Sequence, residues 1–246
     1  TTGRVDSNRD TIATASRNYN NKWTPLTLQN ERKWSTLVHP QDIDQTNMVA
    51  SIGNITEVFN QEQKFPEMDV YCISKIYAEY QQLSQTPIND DITVDNILEV
   101  FDKMMLEMDE DGTPPTGRIL YITPTENAKL KRAKEIARTV IIGDAENKLN
   151  RTIANLDLVK IVHVPSKYMK TVYDFTQGFK AGASAKQIRM CLIHPLAVIT
   201  PVNYEFAKLD EPSAMSEGKW VYYEESHEDV FVLARKVKAI QFAVEK

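Results

Sequence analysis

The sequence predicts an α+β fold. Apolar stripes at helical spacing dominate the first half, β-favouring runs dominate the second, and helical stretches lie between some of those runs. At 246 residues the chain is long enough for one large domain or two smaller ones with a real core. It contains no internal repeat, low-complexity tract or obvious flexible linker.

Residues 1–40 are rich in Asn, Arg and Thr and show no helical period. Between Trp23 and Val38, β-favouring residues flank the turn-like Gln29–Arg32, which predicts an irregular arm ending in a β-hairpin. Its apolar residues are too few and scattered for a core of their own, so the arm is expected to pack on something else. From Asp42 the period becomes helical: Met48, Ile52, Ile55 and Phe59 share one face, and Asp42 and Asp44 sit where carboxylates suit the helix dipole. Pro66 disfavours helix at Phe65 but suits a first helical turn, and Glu67 and Asp69 follow it. Val70, Ile73, Tyr77 and Tyr80 continue the stripe. The spacing predicts two helices in series, or one long helix kinked at Pro66, with the proline read as opening a new turn.

The clearest helix carries Val94, Ile97, Leu98, Phe101, Met104, Met105 and Met108, with Thr93 as its N-cap. A loop, Asp109 to Gly117, ends it. Arg118 to Thr123 reads as a buried strand, and Thr123 to Glu126 as a capping box with proline at the first helical position, opening a basic helix to about Arg138. Strands are then expected at Leu158 to Val164, Ile188 to Ile193 and Trp220 to Tyr223, and in the closing runs VFVLA and AIQFAV.

Hydrophobic content of 42% and charged content of 26% are those of an ordinary soluble globular protein. No apolar run approaches the roughly 20 residues that cross a bilayer, and no signal-peptide pattern opens the chain, so it is expected to be soluble, without a membrane partner, and intracellular when made. It begins at Thr1 without an initiator Met, so upstream residues are expected to have been cleaved off or to lie outside this sequence. Cys72 and Cys191, far apart in apolar contexts, suit buried free thiols. Net charge is −5; six bases against three acids give residues 1–40 a local +3, which leaves −8 on the rest. A basic arm on an acidic body could bind nucleic acid or another copy of that body. Contact between subunits is the role expected of residues 1–40, with Arg17, Lys22, Arg32 and Lys33 as its cations.

Little in the sequence points to catalysis or to a cofactor. His39, His163, His194 and His227 have no partner at metal-ligand spacing, so no metal site is expected. Glu107, Asp109, Asp111 and Gly112 fit the first positions of a calcium loop, but Arg118 stands where the closing glutamate belongs and Pro114 and Pro115 intervene; a solvated helix end is the plainer reading. No phosphate-binding glycine motif and no nucleophile elbow occurs. Asn54 and Asn150 match the glycosylation pattern, which means little without a secretory route. Lys129, Lys131, Arg132, Lys134 and Arg138 could touch phosphates but fit a solvated helix face better. No catalytic, cofactor-binding or metal residue is assigned, and the expectation is a structural or binding protein, not an enzyme.

Several stretches together resemble one family. DIDQTNMVASIGNITEVFNQEQKFPEMDVYCISKIY, NILEVFDKMMLEMDEDGTPPTGRILYITPTENAKLKRAKE, MCLIHPLAVITPVNYEF and EDVFVLARKVKAIQF occur in the order and spacing seen in major capsid proteins of tailed bacteriophages of the Hong Kong 97 type. The resemblance covers about residues 35–245. It implies a capsid fold with an N-terminal arm and extended β-hairpin loop in residues 1–40, a spine helix of the peripheral domain in 41–88, and an axial domain with the remaining peripheral strands in 89–246. The implied function is a coat protein that self-assembles, as hexamers and pentamers, into an icosahedral shell around double-stranded DNA. Portal, scaffold and decoration proteins are implied partners, the packaged DNA is held without sequence-specific binding, and the place is the virion, assembled in the host cytoplasm. An acidic body suits a container that must not grip phosphates strongly. Some members crosslink their subunits through Lys and Asn; no residue here aligns to that chemistry. An encapsulin-like bacterial shell protein is the nearest alternative, and a soluble nucleic-acid-binding domain a more distant one.

Overall fold

The computed structural model describes residues 23–134 and 153–246. The chain runs through β1 (Asn30–Val38), α1 (Pro40–Gln45), α2 (Ile52–Phe59), a π-helical turn at Asn60–Lys64 and α3 (Phe65–Gln82). Next come α4 (Ile97–Glu110), β2 (Ile119–Ile122) and α5 (Pro124–Leu130). The strand-rich remainder holds β3 (Asn155–Leu156), β4 (Val159–His163), β5 (Tyr173–Asp174), β6 (Lys180–Ala181), β7 (Ile188–Ile193), β8 (Val198–Ile199), β9 (Val202–Asp210), β10 (Trp220–Glu228), β11 (Phe231–Val232) and β12 (Ile240–Val244). The architecture is α+β, as the sequence predicts.

The larger sheet has the order β12-β7-β2-β4-β3, antiparallel except where β2 and β4 run parallel. Side chains alternate across it, so each face takes its own helix. Leu120, Ile122, Met190 and Leu192 meet Val100, Phe101, Met104 and Met108 of α4 on one side. Cys191, Ile193, Ile240 and Phe242 meet Ile76, Tyr77 and Tyr80 of α3 on the other, with Phe242 edge-on to both tyrosines at 5.2 Å. Burial pushes the Cys72 thiol up to about 11 and Cys191 further still. Both cysteines are free.

A second sheet, β1-β10-β9, is antiparallel throughout. Along β1 half-buried Asn30, Arg32, Trp34 and Thr36 alternate with exposed Glu31, Lys33, Ser35 and Leu37. The inner set meets the rod formed by α2, the π turn and α3. Trp34 stacks on Phe59 with centroids 3.8 Å apart, Arg32 pairs with Glu67 at 2.6 Å, and Lys64 of the π turn pairs with Glu224 at 3.3 Å. The rod is thus unbroken from Ile52 to Gln82, about 45 Å long at helical rise, and joins two sheets that lack a common core.

Pro66 does not open a new helix. Lys64 and Phe65 both have right-handed helical angles, and Phe65 donates its N–H five residues back, to the Asn60 carbonyl. In a regular α-helix the proline ring would strike the carbonyl four residues back. The wider π turn just ahead of Pro66 takes up that conflict without breaking the rod. Because the proline is interior, Pro66→Ala is expected to raise stability by about 1–2 kcal/mol, restoring a hydrogen bond at some cost in unfolded-chain entropy. Thermal melting of unassembled chains checks this; no change or a loss would point back to a first-turn proline.

Other local expectations need correction. Gln29–Arg32 is not a turn: β1 runs straight through Asn30 to Arg32, held by its register with β10, and the hairpin lies at β9–β10 instead. Met48 is not on the helical stripe but in a turn between α1 and α2, at φ 68° after Asn47 at φ 51°. Ser51 restarts the helix by accepting the N–H of Asn54. Val94 precedes α4, whose N-cap is Asn96; the Asn96 carboxamide accepts from the Thr93 N–H at 2.6 Å and fixes the approach. Thr123 does cap α5, but its side chain makes no capping bond and Glu126 turns to Lys129 instead, so the box does not close. Helix α5 ends at Leu130, and Arg138 lies outside the described residues.

Candidate functional site

Several of the predicted chemical candidates are engaged in holding the fold. Asp109 of the calcium-like stretch sits 2.6 Å from the Arg118 guanidinium, which itself reaches back into the loop. Of the basic run, Lys129 donates to the Ile92 carbonyl at 2.7 Å and pairs with Glu126, while Lys134 faces Asp95 at 3.8 Å. His39 caps α1, and buried His194 accepts from the Leu196 N–H while its other ring nitrogen lies 3.0 Å from the Thr116 carbonyl. Asn54 donates to the Met48 and Val49 carbonyls, and Asn150 lies outside the described residues.

The basic N-terminal segment needs a larger correction. Arg32 pairs within its own chain, with Glu67 and with the Phe175 carbonyl at 2.8 Å. The Gln29 N–H donates to the Asp229 carboxylate, so Gln29 through Val38 belong to the subunit's own fold. Of the other cations, Lys33 is exposed, and Arg17 and Lys22 lie outside the described residues.

What remains is surface. All nine residues of β9 are exposed, and β9 and β1 form the two outer edges of their sheet. The face of that sheet turned away from the rod carries Leu37, Val221, Tyr223, Phe206 and Tyr204, neighbours by strand register; Leu37 is 60% exposed and Tyr204 45%. Val58, Phe65 and Met68 add exposed apolar area along the rod. Free strand edges beside exposed aromatic side chains suit association with other chains rather than chemistry on a small molecule. Strand β9 was missed in the sequence although Val202, Tyr204 and Phe206 alternate with Asn203 and Glu205, and that short period-2 run is the signal that could have found it.

No family model matches the sequence, and no curated protein matches it. The fold is nevertheless shared: nearly all the solved structures that match it are tailed-phage capsids. The asymmetric unit of the bacteriophage PhiM1 mature capsid aligns at a TM-score of 0.61 and 14% identity, over 95% of this chain and 78% of that one. The capsid of cyanophage P-SCSP1u aligns at 0.56 and 12%, over 95% and 81%. The acid-stable capsid of the Helicobacter pylori bacteriophage KHP30 aligns at 0.55 and 11%, over 88% and 75%. The chain has the phage-capsid fold that the sequence resemblance implied.

Proposed function

We propose that the chain is the major capsid protein of a tailed bacteriophage, a structural, non-enzymatic subunit that self-assembles into the shell around double-stranded DNA. The observation that carries this is a capsid fold matched over 95% of the chain. The exposed edges and aromatic face of the β1-β10-β9 sheet support it, since a lone subunit leaves them uncovered. Hexamers and pentamers are the assembling units in this reading, and portal, scaffold or decoration proteins its further partners, with assembly in the host cytoplasm and the mature product in the virion. The proposed division takes 1–40 as N-terminal arm and extended hairpin loop, 41–88 as the spine helix of the peripheral domain and 89–246 as axial domain with the remaining peripheral strands, except that β1 belongs with β10 and β9.

Expression alone and with the phage's own assembly partners, followed by gradient sedimentation and negative-stain microscopy, tests it. Closed shells of uniform diameter are the expected result, with nucleic acid inside those recovered from infected cells. A chain that elutes near its 28.1 kDa mass under every condition, partners included, would overturn the proposal.

A further inference from the structure

Among the described residues, one cluster brings metal-ligating side chains together: Glu31 of β1 with Glu225 and His227 of β10, their ligand atoms all within 4.8 Å of one another. Pairing places Glu31 directly opposite His227, and Glu225 lies two residues along the same face. His227 Nε2 is 3.2 Å from a Glu31 carboxylate oxygen and 3.5 Å from one of Glu225. Yet that nitrogen is buried and makes no hydrogen bond among the described residues. The two oxygens therefore flank its axis rather than lying on it. A protonated ring held by an ion pair would aim its N–H at one of them.

Those separations fit a different occupant. Zinc held at about 2.0–2.2 Å by nitrogen and oxygen in tetrahedral geometry sets neighbouring ligand atoms ~3.3–3.5 Å apart. Two carboxylates and a neutral imidazole also supply the charge and donor set that a divalent borderline cation prefers. Tyr223 donates its hydroxyl to Glu225, as expected for a group that orients the carboxylate. The Tyr204 ring of β9 stands edge-on to the imidazole at 5.7 Å and walls one side.

We propose that Glu31, Glu225 and His227 form a site for a divalent transition-metal ion, zinc above all, which clips β1 to β10 on the exposed face of the sheet. Three protein ligands leave a fourth position for solvent or a donor from another molecule. No position rule along the chain could find it, because the third ligand comes from the opposite strand.

The test is calorimetric titration of the purified, metal-stripped chain with Zn²⁺ near neutral pH, with Co²⁺ absorption reporting tetrahedral coordination. One ion per chain is expected. Glu31→Gln, Glu225→Gln and His227→Gln should each weaken binding by about 100-fold or more, and Tyr223→Phe by about 10-fold, with folding of each variant confirmed by circular dichroism. Binding should persist in the Cys72→Ser, Cys191→Ser double variant. Saturable binding undiminished in folded His227→Gln would overturn the site, and so would no Zn²⁺ uptake by the folded wild-type chain, which would leave an ion pair only.

Discussion

Replacing Arg118 with methionine should cost about 3 kcal/mol of subunit stability, although the new side chain is apolar and of comparable length. The guanidinium is wholly inaccessible and supports the loop that joins α4 to β2. It donates to the Thr113 carbonyl at 2.6 Å, the Pro114 carbonyl at 3.0 Å and the Asp109 carboxylate at 2.6 Å, and it touches the Met105 sulfur at 3.4 Å. Methionine leaves the buried Thr113 carbonyl without its donor, at about 1–3 kcal/mol, and adds a smaller loss at the part-buried Pro114 carbonyl. The ion pair adds little, because Asp109 is 58% exposed and regains water when the arginine goes. Asp109→Ala should therefore cost less than ~1 kcal/mol, and that contrast separates carbonyl support from charge pairing. Denaturant unfolding of unassembled chains measures both; equal losses in the two variants would refute the assignment.

Asp229→Asn is expected to cost about 2–3 kcal/mol, from one or two hydrogen bonds to a charged acceptor. The residue is 2% exposed and ties three parts of the molecule together. One carboxylate oxygen accepts the Gln29 N–H at 2.9 Å; the other accepts the Tyr71 hydroxyl of α3 and the Val230 N–H, both at 2.8 Å. An asparagine offers one oxygen and turns its own donor toward a donor. Burial alone would push this carboxyl up, but the bonds from Gln29, Tyr71 and Val230, with Lys75 nearby, outweigh it and hold the pKa below the ordinary aspartate value. The unfolded chain thus takes up this proton first as pH falls. The stabilisation is complete above the unfolded value near ~4 and drains away as pH drops through the folded one. Melting temperatures of wild type and variant should therefore differ most near neutral pH and converge in acid; a constant gap down to the acid limit would count against the carboxylate. Burial foremost, and then the bond to the Asp229 carboxylate and its charge, push the Tyr71 hydroxyl upward, so it stays a donor throughout.

The core was legible where packing imposes a period. Ile97, Phe101, Met104 and Met108 on α4, and the run Ile188–Ile193, stand where apolar spacing placed them, because each buries a stripe or a face. The outer sheet was not, since its energetics lie in pairs rather than periods. Arg32 is polar yet half-buried against Glu67, and Asn30 and Glu31 look like turn residues until a partner strand imposes extension. The π turn is silent for a related reason: Phe59 and Val70 each keep helical spacing with their own neighbours, and one residue's slip in phase between them leaves no mark in composition.

The uncovered β9 strand has a kinetic consequence for the isolated subunit. An extended edge with every residue in water can recruit backbone from any passing strand, so a concentrated pool of free chains is prone to misdirected polymerisation. Its safeguards are Glu205, Lys208 and Asp210, the last two paired at 2.7 Å, which make indiscriminate edge-to-edge stacking electrostatically unfavourable. If the chain assembles as proposed, it is suited to being consumed soon after synthesis rather than stockpiled, and the rate of its removal from solution would set how much of it a cell can tolerate.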